Sequence, residues 1–368
     1  MGSNRWSWKG FLPYFCKTER HHDGNTSPKD HGYNGPVSTA SFRSAGRNFP
    51  LREPVKAAWS RLGIQPAIDV NDGSPLGVAE VTEARTNGQR VIASVAYPLT
   101  GVTILSSTLA KRVLITTLED GTKAATGIEL ADGRSLTAKR EVILSAGALR
   151  TPQLLLLSGI GPSNVLKRYG IKQIVDSPEV GKNLWDHLGL FQQWKLRHPE
   201  NGLSFGSPKF LDPAFLNALP LDWYTTVSVP KEGLKLALAQ DLGQSLSEDH
   251  PLLKAPRCHL AFLVNYIGVP TDGSLITTYV FNLLPTSRGE ITLTSADPKE
   301  PPQIDKKHYA TEADKYRLRT AIRTIGRLMT TQEGKEMVVG EAVPEGFPAL
   351  GEDSTDAAID ERLMADAK

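Results

Sequence analysis

Residues 141–162 constrain the fold of this chain more than any other stretch. They read EVILSAGALRTPQLLLLSGIGP. The first five, Glu141 to Ser145, are mostly apolar and partly β-branched, which predicts a buried strand. Thr151 and Pro152 are typical of the N-cap and first residue of a helix, which Gly159 and Gly161 would end. The stretch therefore predicts a strand, a turn of small residues and a helix.

The turn between the predicted strand and helix suits a ligand. Unpaired N–H groups and the positive end of the helix dipole meet there, and Ala146, Gly147 and Ala148 let a ligand approach the backbone closely. A phosphate or the edge of a flavin fits such a place. Because any α/β protein needs strand-to-helix turns, the spacing alone leaves an ordinary structural role open.

Composition narrows the classes of function. A chain of 368 residues is long enough for two domains. Its 42 Lys and Arg against 40 Asp and Glu leave a charge of +2, which indicates neither a nucleic-acid nor a membrane partner and favours a small molecule. Cys16 and Cys258 are the only cysteines, so at most one disulfide is open to the chain.

Targeting signals are not visible in the sequence. Its apolar runs are too short for a membrane span, and the start MGSNRWSWKG lacks the apolar core of a signal peptide. The compartment is therefore open, with the cytoplasm as the default.

Residues 145–155 and 158–162 resemble the second signature of the glucose-methanol-choline (GMC) flavin oxidoreductases, with both glycine groups and the proline in register. Residues 6–19, 90–97, 178–187 and 287–305 resemble further segments of that family. The resemblance implies FAD as cofactor. It also implies a mixed α/β fold, with an incomplete FAD-binding domain of the dinucleotide type and a substrate domain built on an antiparallel sheet.

The same resemblance implies which residues lie at the flavin. They are Ala110, Ser145, Gly147, Ala148, Pro152, Asn183 and Asp186. Ala110 stands where the family usually has a valine whose backbone meets the adenine end of FAD. Asp186 and His187 are interpreted as a structural hydrogen-bonded pair in preference to an acid–base pair, and no residue of the chain is assigned a catalytic role.

Alternating apolar residues predict strands in the segment before residue 141, and Asp-Gly turns separate the later ones. The predicted strands are residues 102–105, 112–115, 125–130 and 135–137. Together they predict an antiparallel meander inserted into a parallel sheet. Trp194, Trp223, Tyr224, Phe262 and Tyr266 are expected to fill a core rather than to line a pocket.

Four segments are predicted from the resemblance. Residues 1–90 form the N-terminal cap and flavin-attachment segments, 91–190 the middle of the FAD-binding domain, 191–310 the substrate domain and 311–368 a C-terminal helical segment.

Three histidines, His21, His22 and His31, raise the question of a metal site. Their spacing fits no helical ligand pair and the local sequence shows no surrounding set of acidic partners, so they are interpreted as solvated loop residues. No metal ligand is predicted.

Two family elements are missing from the sequence. The glycine-rich pyrophosphate fingerprint would lie before Met1, and the catalytic histidine loop beyond Lys368. The leading hypothesis is an FAD-dependent oxidoreductase acting on the CH–OH group of a small-molecule alcohol. The alternatives are a truncated, non-catalytic relative and a subunit that a second polypeptide complements. An exposed sheet edge would favour self-association.

Overall fold

The structure, a computed structural model, describes residues 4–23, 26–44, 46–86, 88–217 and 219–366. The chain divides into two units. The first contains residues 1–100, 187–284 and 311–368, and the second contains residues 101–186 and 285–310. The four segments predicted from the sequence remain a prediction.

The α-helices of the described residues are Trp8–Thr18, Arg52–Arg61, Ala93–Ala96, Gly147–Leu157, Ser163–Arg168, Lys231–Leu242, Glu312–Thr330, Gln332–Met337 and Asp356–Asp366. Short 3-10 helices span Asn4–Trp6, Pro199–Asn201 and Pro213–Asn217. None of the described helices is long and apolar enough to span a bilayer.

A six-stranded sheet organises the first unit. In spatial order its strands are Val338–Glu341, Gly189–Leu196, Leu275–Asn282, Leu260–Asn265, Trp223–Val227 and Gly77–Glu80. Every neighbouring pair is antiparallel. The predicted antiparallel sheet of the substrate domain is therefore confirmed.

Helix Glu312–Thr330 covers one face of this sheet. Thr311 caps its N-terminus by accepting a hydrogen bond from the N–H of Asp314, and its inner side buries apolar residues at helical spacing, among them Leu318, Ile322 and Ile325. Alternate residues of strand Gly189–Leu196 are buried. The buried residues of the helix, which recur about every 3.6 positions, therefore pack against those of the strand, which recur every 2 positions, in one core.

The central aromatic residues lie in this core. Trp194, Trp223, Phe262 and Tyr266 are buried, and Tyr224 is half-buried. The indole N–H of Trp194 donates to Thr278 Oγ1 at 2.9 Å, so its polar edge is satisfied inside the sheet. The expectation that these aromatics fill a core is confirmed.

A smaller three-stranded sheet lies near the N-terminus of the first unit. Strand Glu19–His21 pairs in parallel with strand Val37–Ser41, which pairs antiparallel with strand Thr82–Glu83. A two-stranded ribbon of Arg85–Thr86 and Gln89–Arg90 follows. Cys16 and Cys258 are both free, so the one disulfide that the sequence left open is not formed.

The second unit is built on the antiparallel meander that the sequence predicts. Its strands are Ala110–Thr117, Lys123–Leu130 and Ser135–Thr137. Two further pairs are Ile160–Gly161 with Val175–Asp176, in parallel, and Glu290–Thr292 with Gln303–Asp305, antiparallel. A core of Leu156, Leu157, Leu166 and Leu293 joins the helices of this unit to the residue that follows strand Glu290–Thr292.

Two predicted strands of the second unit do not form. Residues 102–105 and 141–145 have no strand assignment, and Ile104 and Ile143 are 62% and 74% exposed. A strand exists only through hydrogen bonds to a neighbour, and these two segments pair with no strand among the described residues. Their sequences are apolar enough for buried strands, but the prediction of strands is wrong for this chain.

A buried ion pair ties the large sheet to helix Arg52–Arg61. Asp222 is fully buried, and its carboxylate accepts hydrogen bonds from Arg52 Nη1 at 2.7 Å and from the Tyr266 hydroxyl at 2.8 Å. Arg52 also contacts Glu80 Oε2 at 3.0 Å. The sheet and the helix therefore share one buried charge network.

We expect Asp222→Ala to lower the free energy of unfolding by about 3 kcal/mol or more, because it leaves the buried Arg52 and the Tyr266 hydroxyl without their hydrogen-bond acceptor. Glu248→Gln is the control, since Glu248 pairs with two lysines at the surface, where such pairs are worth less than about 1 kcal/mol. Urea denaturation measures both. Equal losses in the two variants would contradict the assignment.

His259 makes the stability of the first unit depend on pH. It is buried, and its Nδ1 accepts the N–H of Val229 at 3.3 Å. Burial, with help from the charges of Arg317 and Arg257, lowers the pKa of His259 from 6.5 to about 4. Between these two values the unfolded chain binds more protons than the folded chain, so acid disfavours folding.

Above about pH 6.5, His259 is neutral in both states and does not lower the free energy of unfolding. As the pH falls from 6.5 towards 4, the unfolded chain takes up the proton first, and the free energy of unfolding falls by about 3 kcal/mol. We expect His259→Gln to flatten the decline of unfolding free energy in that window relative to the wild type. His198→Gln, at an exposed histidine, serves as the control. Identical slopes in the wild type and His259→Gln would refute the assignment.

Candidate cofactor site

Helix Gly147–Leu157 begins five residues before Pro152, the predicted first helical residue. Thr151 is therefore not the N-cap, and Pro152 lies inside the helix, so both predictions are wrong. Residues 147–150 add a turn that the propensities of Thr151 and Pro152 did not indicate. Pro152 is tolerated there because its missing N–H affects only the carbonyl of Ala148, in the exposed first turn.

The start of this helix is open. Its N-cap, Ala146, provides no side-chain hydrogen bond, and Ser145, Gly147 and Ala148 are exposed. Gly147 has φ of +78°, and a Cβ at this position would meet nothing within 4 Å. The left-handed backbone favours glycine, while the surrounding space admits a ligand. N–H groups of the first turn are thus available to an acceptor, as the sequence predicts.

Hydrogen bonds hold this helix in place at both ends. Near its start, Gln153 Nε2 donates to the carbonyl of Glu300 at 2.8 Å. At its end, Ser158 Oγ accepts the N–H of Val113 at 2.8 Å and donates to the carbonyl of Leu154 at 2.6 Å. The last two bonds fix the helix against the strand that begins at Ala110.

Asn183 and Asp186 lie on a different segment of the same unit. Gly181 is held so close to the carbonyl of Ile291 that an added Cβ would lie 2.1 Å from the oxygen, so only glycine fits there. Asn183 follows with φ of +58°, and its amide donates to Glu179 Oε2 at 2.9 Å. Asp186 is exposed. This segment is therefore positioned by strand Glu290–Thr292.

All seven predicted flavin residues lie in the second unit. Ser145, Gly147, Ala148 and Pro152 lie within eight residues around the start of the helix, and the strand of Ala110 packs on that helix. Beside Ala110, salt bridges from Lys111 at 2.7 Å and Arg112 at 2.6 Å lower the pKa of Glu129, which keeps this carboxylate charged.

The apolar surface of this unit also fits a flavin. Large apolar side chains are exposed in the segments whose strands do not form, just before strand Ala110–Thr117 and at the helix start: Val102, Ile104, Leu105, Leu109, Ile143 and Leu149. Isoalloxazine and adenine rings bury apolar surface, whereas a phosphate requires N–H donors. The second unit offers both kinds of surface, so the residues present fit FAD.

The histidines near the N-terminus differ from the prediction. His21 and His31 are 5% and 4% exposed, and Glu19 and Asp69 contact His31. The interpretation as solvated loop residues is wrong for both, because His21 lies in a strand and stacks on His31, while Asp69 and Glu19 contact His31. Sequence reasoning missed this cluster. Alternation along the strand, which places residues 19 and 21 on one face, was the available signal.

The two imidazoles are stacked with their centroids 3.9 Å apart, and they titrate in opposite directions. Burial, followed by the nearby charge of His31, lowers the pKa of His21. Burial also opposes protonation of His31, but hydrogen bonds to Asp69 and Glu19 outweigh it and raise the pKa of His31.

Comparison with known proteins agrees with the fold and with the motifs. The description "GMC oxidoreductase" belongs to two family models, which match residues 1–189 and residues 285–367. The chain belongs to the GMC oxidoreductase family. Members of this family are FAD-dependent oxidoreductases, so the resemblance seen in the sequence and the mixed α/β fold that it implied are confirmed.

Individual relatives show what share of the length of a family member this chain spans. The GMC-type oxidoreductase acuG of Aspergillus aculeatus is 39% identical over 99% of this chain and 67% of its own length. The oxygen-dependent choline dehydrogenase of Photobacterium profundum is 31% identical over 98% of this chain and 62% of its own length. The chain thus spans about two thirds of the length of such relatives.

A solved structure agrees at the level of the fold. A variant of the formate oxidase of Aspergillus oryzae, studied for its FAD modification, superimposes with a TM-score of 0.82 at 27% identity. The match covers 99% of this chain and 67% of the other.

Proposed function

We propose that this chain binds FAD in its second unit and takes part in oxidising the CH–OH group of a small alcohol. The observation that carries the proposal is the open start of helix Gly147–Leu157, where a left-handed glycine and uncapped N–H groups coincide with the family signature. Flavin, when bound, supplies a two-electron acceptor for the hydride of the alcohol carbon.

Each predicted flavin residue has a proposed part in holding the cofactor. The backbone N–H groups of Gly147 and Ala148 would donate to it, and Ser145 would add a hydroxyl. Pro152 would keep the helix start in a fixed conformation, because its ring limits φ. The main chain of Ala110 would meet the adenine end, while Asn183 and Asp186 would contribute polar groups from the second segment.

The large sheet of the first unit suggests the class of substrate. On the face opposite helix Glu312–Thr330, Phe191 is 57% exposed and lies 4.5 Å from the ring of Tyr279, with Phe281 at 6.3 Å. Tyr279 and Phe281 are half-buried, so Phe191 presents most of the exposed aromatic surface. Exposed aromatic surface binds apolar or cationic groups well. We assign to it the apolar or quaternary-ammonium part of an alcohol, a group that formate lacks.

The proton of the alcohol also needs an acceptor. None of the described residues is assigned that role, so the proposal concerns binding of cofactor and substrate by this chain and leaves the base unassigned.

Binding of FAD is tested at the helix start. We expect the purified chain to retain flavin after incubation with excess FAD and gel filtration. Ala148→Glu should weaken binding about tenfold, because it places a carboxylate beside the N–H groups that the anionic cofactor needs. Ala148→Gln, nearly the same size but neutral, is the matched control and should lose much less. Flavin absorbance and fluorescence titration measure both.

A colourless wild-type protein would refute FAD binding by this chain and would favour the non-catalytic or complementing alternatives. Unchanged flavin affinity in both Ala148→Glu and Ala148→Gln would show that the chain binds flavin away from the helix start.

The substrate is tested on the flavin-loaded chain without oxygen. We expect aryl alcohols or choline to bleach the flavin absorbance faster than formate does. Phe191→Ala should slow bleaching at limiting alcohol several-fold, because it removes exposed aromatic surface, and Leu236→Ala, at an exposed apolar residue elsewhere in the first unit, should not. Faster bleaching by formate would overturn the proposed substrate class. Flavin that no alcohol bleaches would mean that this chain binds the cofactor without oxidising alcohols.

A further inference from the structure

The cluster of histidines and carboxylates in the small N-terminal sheet lies outside the proposed flavin residues. Glu19 and His21 are two positions apart on one strand, so their side chains leave the same face. His31 comes from the following loop and Asp69 from a third segment of the chain. Parallel pairing with strand Val37–Ser41 sets Thr39 opposite His21. Tertiary structure thus gathers side chains that are up to 50 positions apart.

Their nitrogen and oxygen atoms converge. One donor atom from each of Glu19, His21 and His31 lies within 4.8 Å of those of the other two. His31 Nδ1 is 2.8 Å from Glu19 Oε2, and the His21 ring lies beside the same carboxylate, with its Nδ1, the nitrogen that faces Thr39, 3.5 Å from Oε1. Two imidazoles and a carboxylate form a ligand set that zinc commonly uses in proteins.

Each imidazole also has a partner that would orient it as a metal ligand. His31 Nε2 lies 2.5 Å from the buried carboxylate oxygen Oδ2 of Asp69. Thr39 Oγ1 donates its proton to Glu19 Oε1 at 2.6 Å. Thr39 Oγ1 therefore accepts a hydrogen bond from His21 Nδ1, which is 3.1 Å away. Metal-bound histidines almost always donate their second nitrogen in this way, to a carboxylate or another oxygen.

One atom of the cluster is left unsatisfied. With its proton on Nδ1, neutral His21 has a lone pair on Nε2, and this buried atom has no hydrogen-bond partner among the described residues. Asp23 Oδ2 is 3.9 Å away, which is beyond hydrogen-bond distance. A protonated His31 between Glu19 and Asp69 accounts for the rest of the network, but it leaves the buried Nε2 of His21 without a function.

Charge and access also favour a cation. Within the described part of the chain, Glu19, Asp23 and Asp69 form ion pairs only with histidines. Glu19 and His31 line an open pocket of about 840 Å³ that reaches the cluster. Negative charge therefore accumulates beside a path by which a hydrated ion can enter.

We propose that Glu19, His21 and His31 bind a zinc ion, with Asp69 orienting His31 and Thr39 orienting His21. A tetrahedral ion with bonds near 2.1 Å spaces its ligand atoms about 3.4 Å apart, so binding would move Glu19 Oε2 and His31 Nδ1 apart from their present 2.8 Å and would require His21 Nε2 to reach the same ion. Such an ion joins the strand, the loop that carries His31 and the segment that carries Asp69. This site is independent of the proposed flavin chemistry.

The test uses the full chain, stripped with a chelator and without FAD, titrated with Zn²⁺ by calorimetry. We expect one ion per chain and a higher midpoint of thermal unfolding when zinc is present. Asp69→Asn should weaken binding about 10- to 100-fold, as is typical of an orienting partner, and His21→Gln should weaken it more. His22→Gln is the matched control, because His22 is the adjacent histidine, is exposed, and contacts the Ser38 hydroxyl outside the cluster.

Cobalt gives a second measurement that does not depend on the folding of a variant. Co²⁺ in the wild-type site should show the intense visible absorption of four-coordinate cobalt and be displaced by one equivalent of Zn²⁺, whereas ions on surface histidines stay six-coordinate and pale. A pale Co²⁺ complex, the absence of saturable Zn²⁺ binding, or zinc affinity unchanged in His21→Gln and Asp69→Asn would each overturn the proposal.

Discussion

The first unit depends on the packing of helix Glu312–Thr330 against the buried face of its six-stranded sheet. Apolar side chains supply most of the driving force, but they do not by themselves fix how the helix is aligned on the strands. Alignment comes from buried polar groups. The Asn282 amide donates to Asp314 Oδ1 at 3.0 Å, and Arg317 Nη1 donates to the same oxygen at 3.0 Å. If the helix slid along its axis, the Asn282 amide, Asp314 and Arg317 would be buried without hydrogen-bond partners.

On the face opposite helix Glu312–Thr330, much of the sheet is also buried, but Phe191 stays exposed and Tyr279 and Phe281 are half-buried. The strand of Phe191 alternates between core residues and outward residues, so the same hydrogen-bond ladder that builds the core also holds the aromatic rings in register. Tyr279 and Phe281 project from the neighbouring strand, with ring centroids 6.4 Å apart. A rigid scaffold carrying exposed aromatic side chains is a common way to build a binding surface that varies with substrate.

The second unit exposes apolar segments because two stretches that resemble buried strands have no neighbouring strand. Residues 102–105 and 141–145 have the composition of buried strands, yet the described chain offers them no pairing partner. Ile104 and Ile143 stay exposed, and residues 141–145 lead directly into the open start of helix Gly147–Leu157. In the proposed function, a bound flavin would cover such apolar surface and accept hydrogen bonds from the free N–H groups. Aggregation is the corresponding risk for such exposed segments.

The sequence by itself determined the family, the antiparallel meander and the large aromatic core, because these depend on local patterns: alternation, Asp-Gly turns and a long signature with its glycines in register. It also located the turn at Gly147, although the helix begins earlier than Thr151 and Pro152 indicate. Local propensity fails there because helical residues before the proline cost little when they are exposed. Only the tertiary structure decided which segments found a strand partner. It alone brought Glu19, His21, His31 and Asp69 together, because contacts between residues so far apart in sequence depend on how strands pair and loops pack, which no local pattern encodes.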